Sequence, residues 1–191
     1  MEHLSILRRL YDLKTVYRDI PIQNKYESSA EHSWSTMLLA DYFMEKLGLQ
    51  LDRLKVFELL IYHDLPELET GDISLADTEA RKNKKEAERH SMESISATLP
   101  PFMREKYRAL YEEFVARQTP ESKFANAMDK FDAQLQCFNT PEGDVGRMKE
   151  AMLPYSEGLL REKRSDYFVD YPEVNEAFEY IIQHFKEMGY L

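Results

Sequence analysis

The sequence has few of the residues that form covalent cross-links or thiolate sites. Its 191 residues include one cysteine, Cys137, together with six glycines and eight prolines. A single cysteine cannot form an internal disulfide, and it rules out both a thiolate metal cluster and a CxxC redox pair. The glycine and proline content excludes a collagen-like or low-complexity chain. We therefore expect a globular protein of a reducing, cytoplasmic compartment.

Long apolar runs and an excess of positive charge are also lacking. No apolar run approaches the roughly 18 residues of a membrane span, and charges interrupt the N-terminal segment MEHLSILRRLYDLKTVYRD. The chain has 25 lysine and arginine residues against 35 aspartate and glutamate residues, a net charge of -10. Such a charge repels nucleic-acid backbones and anionic lipids. We expect neither polymeric nucleic acid nor a membrane as a partner.

Helical periodicity runs through almost the whole sequence, and no segment shows the sustained alternation of a half-buried strand. We therefore predict an all-α fold, a single compact helical bundle formed by residues 1–191 without an internal repeat or linker. The predicted helices lie at about 2–16, 28–47, 52–63, 78–98, 102–117, 120–138, 145–162 and 172–188.

The second predicted helix begins at a capping box, Ser28-Ser29-Ala30-Glu31, and follows a polar loop that contains Pro21 and Asn24. The apolar residues predicted to face inward from this helix are Trp34, Met37, Leu38 and Tyr42.

Four side chains beside the apolar stripes could bind a metal ion. His63 and Asp64 stand where the third helix ends, and unwinding there lets adjacent side chains converge instead of splaying by about 100°. His32 lies one turn inside the second helix, and Asp129 lies mid-helix, where an ionised carboxylate is costly unless paired or metal-bound. Each residue could instead be an ordinary hydrogen-bonded residue, and Asp132 competes with Asp129.

Three segments together resemble the HD-domain metal-dependent phosphohydrolases, and most closely the small branch that includes 5′-deoxynucleotidases. These segments are ESSAEHSW at 27–34, YHDLPELETGDI at 62–73, and YEEF to ESKFANAMDKFDAQLQC between 111 and 137. The resemblance covers roughly residues 4–138 and implies that the helices of 145–188 pack on this core. It also implies one divalent cation, held by His32, His63, Asp64 and Asp129.

Two imidazoles and two carboxylates suit Mn, Co, Fe, Ni or Zn better than Ca or Mg. A metal-bound water has a lowered pKa and can serve as the nucleophile. His90 is the only further histidine between the His63-Asp64 pair and Asp129. HD proteins with two metal ions add more histidines in this interval, so the resemblance implies one metal ion rather than two.

The resemblance also implies roles around the metal ion. Glu67 matches an acid that orients the attacking water or assists proton transfer, and Asp72 matches one that orients a ligand or the substrate sugar. The residues expected to contact substrate are Arg18 at the phosphate, Arg81 and Lys84 in a cationic clamp, and Glu113 near the sugar. From the residues alone, Glu67 could equally be an exposed loop acid, and Asp72 a turn residue next to Gly71 at positive φ. Arg81 and Lys84 could equally belong to a solvated charged face.

The function expected from these motifs is removal of the 5′-phosphate from a nucleotide, preferentially a deoxynucleotide. Two alternatives remain at this point. The first is a phosphohydrolase of the same superfamily that acts on a nucleoside triphosphate or a guanosine polyphosphate. The second is a metal-stabilised binding protein without turnover, against which Glu67 and Arg18 argue, because a degenerate site would be free to lose them.

Self-association as a homodimer is a further expectation. The chain has ten phenylalanines and twelve tyrosines, and its last helix carries an apolar side. Such a surface could form a contact between identical faces.

Overall fold

The computed structural model describes residues 2–140 and 142–191, and helices dominate it. This confirms the predicted all-α class. The helices are α1 (Glu2–Tyr11), α2 (Ser29–Leu47), α3 (Arg53–Tyr62), α4 (Glu67–Thr70), α5 (Lys84–Thr98), α6 (Pro101–Ala116), α7 (Pro120–Phe138), α8 (Val145–Met152), α9 (Glu157–Phe168) and α10 (Pro172–Glu187). Two strands, β1 (Tyr17–Ile22) and β2 (Lys25–Ser28), form a small antiparallel sheet.

The sheet is a hairpin in a segment that was predicted to be a polar loop around Pro21 and Asn24. Its alternation of exposed and covered side chains spans six residues in β1, and the pairing is irregular between Tyr17 and Pro21. So short and interrupted a pattern gives no sustained strand signal. The turn uses Gln23 at φ +48. The hairpin positions Arg18, which it carries to the candidate site.

The helix predicted over 145–162 is two helices, α8 and α9, so that prediction was wrong. Pro154 lies between them, and its ring removes a backbone donor and cannot continue a helix. Ser156 then caps α9, because its Oγ accepts a hydrogen bond from the Leu159 amide at 3.2 Å. The resulting bend lets α8 contact β1 while α9 contacts α7.

Two other predicted helices are shorter in the structure. The helix α1 ends at Tyr11 and continues as a 3-10 turn, Asp12–Thr15. Similarly, α5 begins at Lys84 after a 3-10 turn, Ala80–Asn83.

The helix α2 begins at the predicted capping box but presents the opposite face to the core. Trp34, Leu38 and Tyr42, expected inside, are 65%, 59% and 57% exposed. The buried side carries polar residues in its first two turns and apolar residues further on, namely Ser29, His32, Ser33, Thr36, Leu39, Ala40, Phe43 and Met44. Met37, the fourth residue of the predicted inward set, is partly buried against the main core. The predicted inward face was therefore wrong for the other three, because both sides of this helix carry large apolar residues and packing selects the one that bears His32.

The main core lies between α2, α3, α7 and α10, and a smaller cluster lies between α5 and α6. The apolar side of α10 is buried in the main core through Val174, Phe178, Ile181, Ile182 and Phe185. That side is consequently not free for self-association, and the argument from the last helix was wrong. None of the described helices is both long and apolar enough to span a membrane.

Candidate metal centre

The side chain of His32 is fully buried at the start of α2, where the capping box fixes the first turn. Ser28 Oγ accepts a hydrogen bond from the Glu31 amide, and the Glu31 carboxylate accepts one from the Ser28 amide. His32 Nδ1 lies 2.8 Å from Asp132 Oδ2. Because a carboxylate only accepts, Nδ1 carries the proton and leaves the Nε2 lone pair available on the other side of the ring.

His63 and Asp64 follow the last residue of α3, at the point where the helix ends. His63 Nδ1 donates to the Leu60 carbonyl oxygen at 2.8 Å, which orients Nε2 away from the helix. His63 Nε2 lies 3.1 Å from Asp64 Oδ1, so the two adjacent side chains converge. His63 Nε2 and Asp64 Oδ2 are buried and have no hydrogen-bond partner among the described residues.

Asp129 completes a compact set of donor atoms from α7. Its Oδ1 lies 3.2 Å from His32 Nε2 and 4.0 Å from His63 Nε2. Donor atoms of His32, His63 and Asp129 all lie within 4.8 Å of one another. Asp64 approaches the two rings with different oxygens, Oδ2 lying 3.9 Å from His32 Nε2. These separations suit ligands around one ion with bonds of roughly 2.0–2.2 Å.

The acid–base balance of this cluster also fits a divalent ion. Burial acts to lower the pKa of His32, but hydrogen bonds to Asp129 and Asp132 outweigh it and raise that pKa to about 10. Burial lowers the pKa of His63 to about 4, which keeps its ring neutral. Burial raises the pKa of Asp64 to about 6. A cation in the centre would favour two carboxylates and two neutral imidazoles.

A neighbouring group, Glu27, His32 and Asp132, also brings donor atoms within 4.8 Å of one another. Arg18 Nε lies 3.2 Å from Glu27 Oε2 in that group. A guanidinium at this distance disfavours a second cation there. Asp132 is therefore better described as the residue that orients His32 than as the competing ligand.

Glu67 lies beside the cluster, at the first position of α4, and is 4% exposed. Ser29 Oγ donates to its Oε2 at 2.7 Å, and Lys84 Nζ lies 3.7 Å from Oε1. Burial, followed by the charges of Asp64 and Asp72, raises the pKa of Glu67 to about 8. A carboxyl group with this pKa can exchange a proton near neutral pH.

One pocket opens onto the cluster and contains most of the residues predicted from the sequence. Its lining includes His63, Asp64, Asp129, Glu67, Asp72, Arg18, Arg81 and Lys84. Arg18 Nη1 lies 3.7 Å from Asp64 Oδ2, and Arg81 donates to the Ile73 carbonyl oxygen at 3.1 Å. Gly71, next to Asp72, adopts φ +69 as the turn prediction required.

Glu113 is absent from the lining of this pocket, in contrast to its predicted place near the substrate. Its carboxylate accepts a 2.5 Å hydrogen bond from Thr119 Oγ1 and lies 2.9 Å from Lys55 Nζ. It thus connects the end of α6 with the start of α7. The aromatic ring of Phe114, the next residue, faces the site instead, with its centroid 5.1 Å from that of His63.

The pocket lining also includes residues that were not predicted from the sequence, among them Lys130, Gln134 and Arg164. Lys130 Nζ lies 2.5 Å from Asp129 Oδ2. Gln134 lies five residues after Asp129, a spacing that does not place two residues on one helix face, so no signal in the sequence indicated it. Arg164 lies in the charged run REKRS, which reads as a solvated face, so only packing reveals it.

The fold and the donor set define this chain as an HD protein. Residues 10–163 match the family described as HD domain, and the chain belongs to that family. The family implies a divalent metal ion, with which the His and Asp cluster is consistent.

Relatives with assigned names are similar over most of their length. The 5′-deoxynucleotidase HDDC2 of Danio rerio is 26% identical over 152 residues, which cover 78% of this chain and 73% of the relative. The Homo sapiens protein of the same name is 26% identical over 75% of this chain and 69% of its own. A predicted metal-dependent phosphohydrolase of Magnetospirillum magnetotacticum has a crystal structure with TM-score 0.73 and 24% identity, covering 100% of this chain and 96% of that one.

Proposed function

We propose that this chain is a metal-dependent phosphohydrolase that removes the 5′-phosphate from deoxynucleoside monophosphates. The observation that carries the proposal is the convergence of His32, His63, Asp64 and Asp129, from three separate segments, beside one pocket whose lining includes Glu67 and Arg18. The named 5′-deoxynucleotidases that resemble this chain support the choice of substrate. The presence of Glu67 and Arg18 favours an enzyme over a metal-stabilised binding protein, because a site without turnover would be free to lose them.

The proposed ligands of the metal ion are His32, His63, Asp64 and Asp129. Two imidazoles with two carboxylates favour Mn, Co, Fe, Ni or Zn over Mg. Such an ion, when bound, lowers the pKa of a coordinated water and offsets the charge of the phosphate. Asp132 and the Leu60 carbonyl oxygen orient the two imidazoles through their Nδ1 atoms.

We assign proton transfer and phosphate binding to the residues around the proposed ligands. Glu67 accepts a proton at Oε1 when water attacks phosphorus, while Ser29 keeps Oε2 in place. Arg18 and Lys84 bind phosphate oxygens, since both are cations that line the pocket and lie beside Asp64 and Glu67 respectively. Asp72 and Arg81 complete the pocket on the side of the α4–α5 connection.

A screen of phosphate release tests this function. The substrates are deoxy- and ribonucleoside 5′-monophosphates, nucleoside triphosphates, guanosine polyphosphates and sugar phosphates, each with Mn, Co, Zn or Mg. We expect release from deoxynucleoside monophosphates with a transition metal, and its loss together with metal binding in Asp64→Ala. Asp41→Ala, at an exposed acid of α2 that pairs with Arg53, is the control. Release from triphosphates or guanosine polyphosphates alone would refute the proposal.

Three further properties belong to the same proposal. Residues 1–191 form one domain in the cytoplasm, and two copies associate. A groove on the outer side of α2 supports the association, because it is lined by Trp34, Met37, Tyr11, Ile61 and Met103. Among the described residues that line it, Lys14 is the one charged residue. Two copies that each carry a net charge of -10 repel one another across their acidic surfaces. The groove, whose described residues include no acid, is therefore the most favourable contact.

A further inference from the structure

The pocket at the metal centre is also lined by residues of α7, α8 and α9, and we call this part of its lining the inner end. Its apolar lining residues are Cys137, Met148, Met152 and Leu160 from the three helices, and the pocket is also lined by Ile20 of β1 and Leu75 of the α4–α5 connection. The Tyr155 hydroxyl lies 3.0 Å from Ser74 Oγ at the edge of this end. Apolar walls with a few polar groups are typical of a site for a flat, partly polar ligand.

Arg164 lines this inner end and is 7% exposed. Its Nε atom is buried and has no hydrogen-bond partner among the described residues. Burial lowers the pKa of this guanidinium, and the charge of Asp129 only partly offsets the effect. A buried guanidinium without an acceptor costs free energy that a ligand with a suitable oxygen would recover.

Gln134 is the second polar side chain at the inner end. It is 4% exposed and lines the same pocket from α7. No side-chain hydrogen bond joins its amide to another described residue. The amide offers one acceptor and two donors, whereas the guanidinium offers donors only.

We propose that the inner end seats the nucleobase of the substrate and that Arg164 donates a hydrogen bond to a carbonyl oxygen of that base, with Gln134 beside it. The inference rests on the proposed function, because it assumes that the phosphate lies at the metal centre. Arg164 is thus a specificity-determining residue for bases that carry a carbonyl group.

The position of Arg164 favours a base over the phosphate as its partner. Arg18 and Lys84 already supply cations beside Asp64 and Glu67, where the phosphate is expected. Arg164 enters from α9 and shares its surroundings with Leu160, one turn earlier on the same helix. Apolar side chains suit the faces of a ring and not a phosphate dianion.

The donors of Arg164 distinguish among the bases. Guanine presents O6 and N7 as acceptors on one edge, and thymine and cytosine each carry at least one carbonyl oxygen. Adenine has an amino group where guanine has O6, and it lacks a carbonyl group. Deoxyguanosine should therefore bind more tightly than deoxyadenosine, a nucleoside of nearly the same size.

Calorimetric binding of deoxyguanosine, deoxyadenosine and inorganic phosphate tests the inference without requiring turnover. We expect the unmodified protein to prefer deoxyguanosine over deoxyadenosine by about 10-fold or more, the usual effect of a charge-assisted hydrogen bond. Arg164→Met should abolish this preference and leave phosphate binding unchanged. Arg164→Lys, which keeps the charge but loses the planar fork, should reduce the preference.

Arg161→Met is the matched control, because Arg161 lies one turn earlier on α9 and pairs with Glu157 and Glu179. It should bind all three ligands as the unmodified protein does. Equal affinity of the unmodified protein for both nucleosides would overturn the inference even if Arg164→Met failed to fold. An equal loss of phosphate and nucleoside binding in Arg164→Met would overturn it too, because Arg164 would then bind phosphate.

These outcomes are separable from those of the phosphate-release screen. Selective nucleoside binding without release of phosphate would refute the proposed function and leave a nucleobase site. Release of phosphate from deoxynucleoside monophosphates without base selectivity would refute the role of Arg164 and leave the function intact.

Discussion

We propose that the carboxyl group of Glu67 acts on the reacting water without holding the metal ion. It is buried, accepts a hydrogen bond from Ser29 Oγ and lies outside the cluster of donor atoms formed by His32, His63 and Asp129. We predict that Glu67→Gln lowers kcat by about 10²–10⁴-fold, while metal content and KM stay nearly unchanged. Steady-state kinetics and metal analysis measure these quantities.

The neighbouring acid Glu69 provides the control for that experiment. It lies two residues along α4 and pairs with Arg9 at the surface. Glu69→Gln should leave kcat unchanged. An unchanged kcat in Glu67→Gln would reduce Glu67 to a structural residue and restore the binding-only alternative.

The pKa of Glu67 also predicts how stability of the metal-free protein depends on pH. Burial, with Asp64 and Asp72, raises this pKa from 4.5 to about 8, so the folded state binds the proton more tightly than the unfolded chain. The stabilisation by this group is complete below the unfolded pKa and is lost as pH rises through the folded pKa. The free energy of unfolding of the native protein relative to Glu67→Gln should fall between about pH 4.5 and 8, by at most about 1.4 kcal/mol per pH unit.

Denaturant unfolding in the presence of a chelator, at several pH values in that interval, measures the difference. Comparison with the variant removes the contribution of His32, whose pKa is also shifted, and isolates that of Glu67 together with its interaction with Asp64. Parallel pH profiles for the two proteins would contradict the raised pKa.

At the scale of elements, the first turn of α2 links helix stability to the site. The capping box of Ser28 and Glu31 holds the turn that carries Ser29 and His32. We predict that Ser28→Ala lowers the free energy of unfolding by about 1 kcal/mol, because the Glu31 amide loses its acceptor. In a chain of this size the melting temperature should fall by about 2–4 °C.

Ser28→Thr, which keeps a hydroxyl acceptor at the cap, should retain most of the stability. Thermal unfolding with and without added metal compares the two variants. Equal melting temperatures for Ser28→Ala and the native protein would show that packing alone holds the turn.

The two faces of α2 illustrate why an element can be predicted more easily than its orientation. The capping box and the apolar content predict the helix correctly. The helix carries two apolar stripes that look equally suitable for burial in the core. One is formed by Trp34, Leu38 and Tyr42, and the other by Leu39 and Phe43. The choice between the stripes depends on α3 and α7, which bring His63 and Asp129 opposite His32.

At the scale of the whole molecule, the outer stripe of α2 is the surface on which association is expected. Trp34 is 65% exposed and lines the apolar groove together with Ile61 and Tyr11. We predict that the native protein is a dimer at micromolar concentration and that Trp34→Asp is a folded monomer, since a carboxylate in a buried apolar contact is costly. Light scattering gives both masses.

Val169→Asp is the control, because Val169 is 75% exposed and lies outside the groove. This variant should remain a dimer. A monomeric mass for the native protein, or a dimeric mass for Trp34→Asp, would contradict the proposed contact.

The sequence by itself determined the class of fold, the start of α2 and the family. These follow from short-range features: the 3.6-residue period, a capping hydroxyl three residues before its partner, and motif segments of eight to twelve residues such as ESSAEHSW and YHDLPELETGDI. The hairpin escaped prediction because its strands are short and their pairing is irregular.

Only the tertiary structure shows that Asp129 and Asp132 contact different atoms of His32. It also shows that Arg164 lines the pocket and that Glu113 does not. Asp129 and Asp132 lie one turn apart on α7, yet they contact opposite nitrogens of His32. Arg164 and Glu113 both occupy charged helical segments that look alike in sequence. Their different surroundings arise from contacts between segments far apart in the chain, and local periodicity carries no information about such contacts.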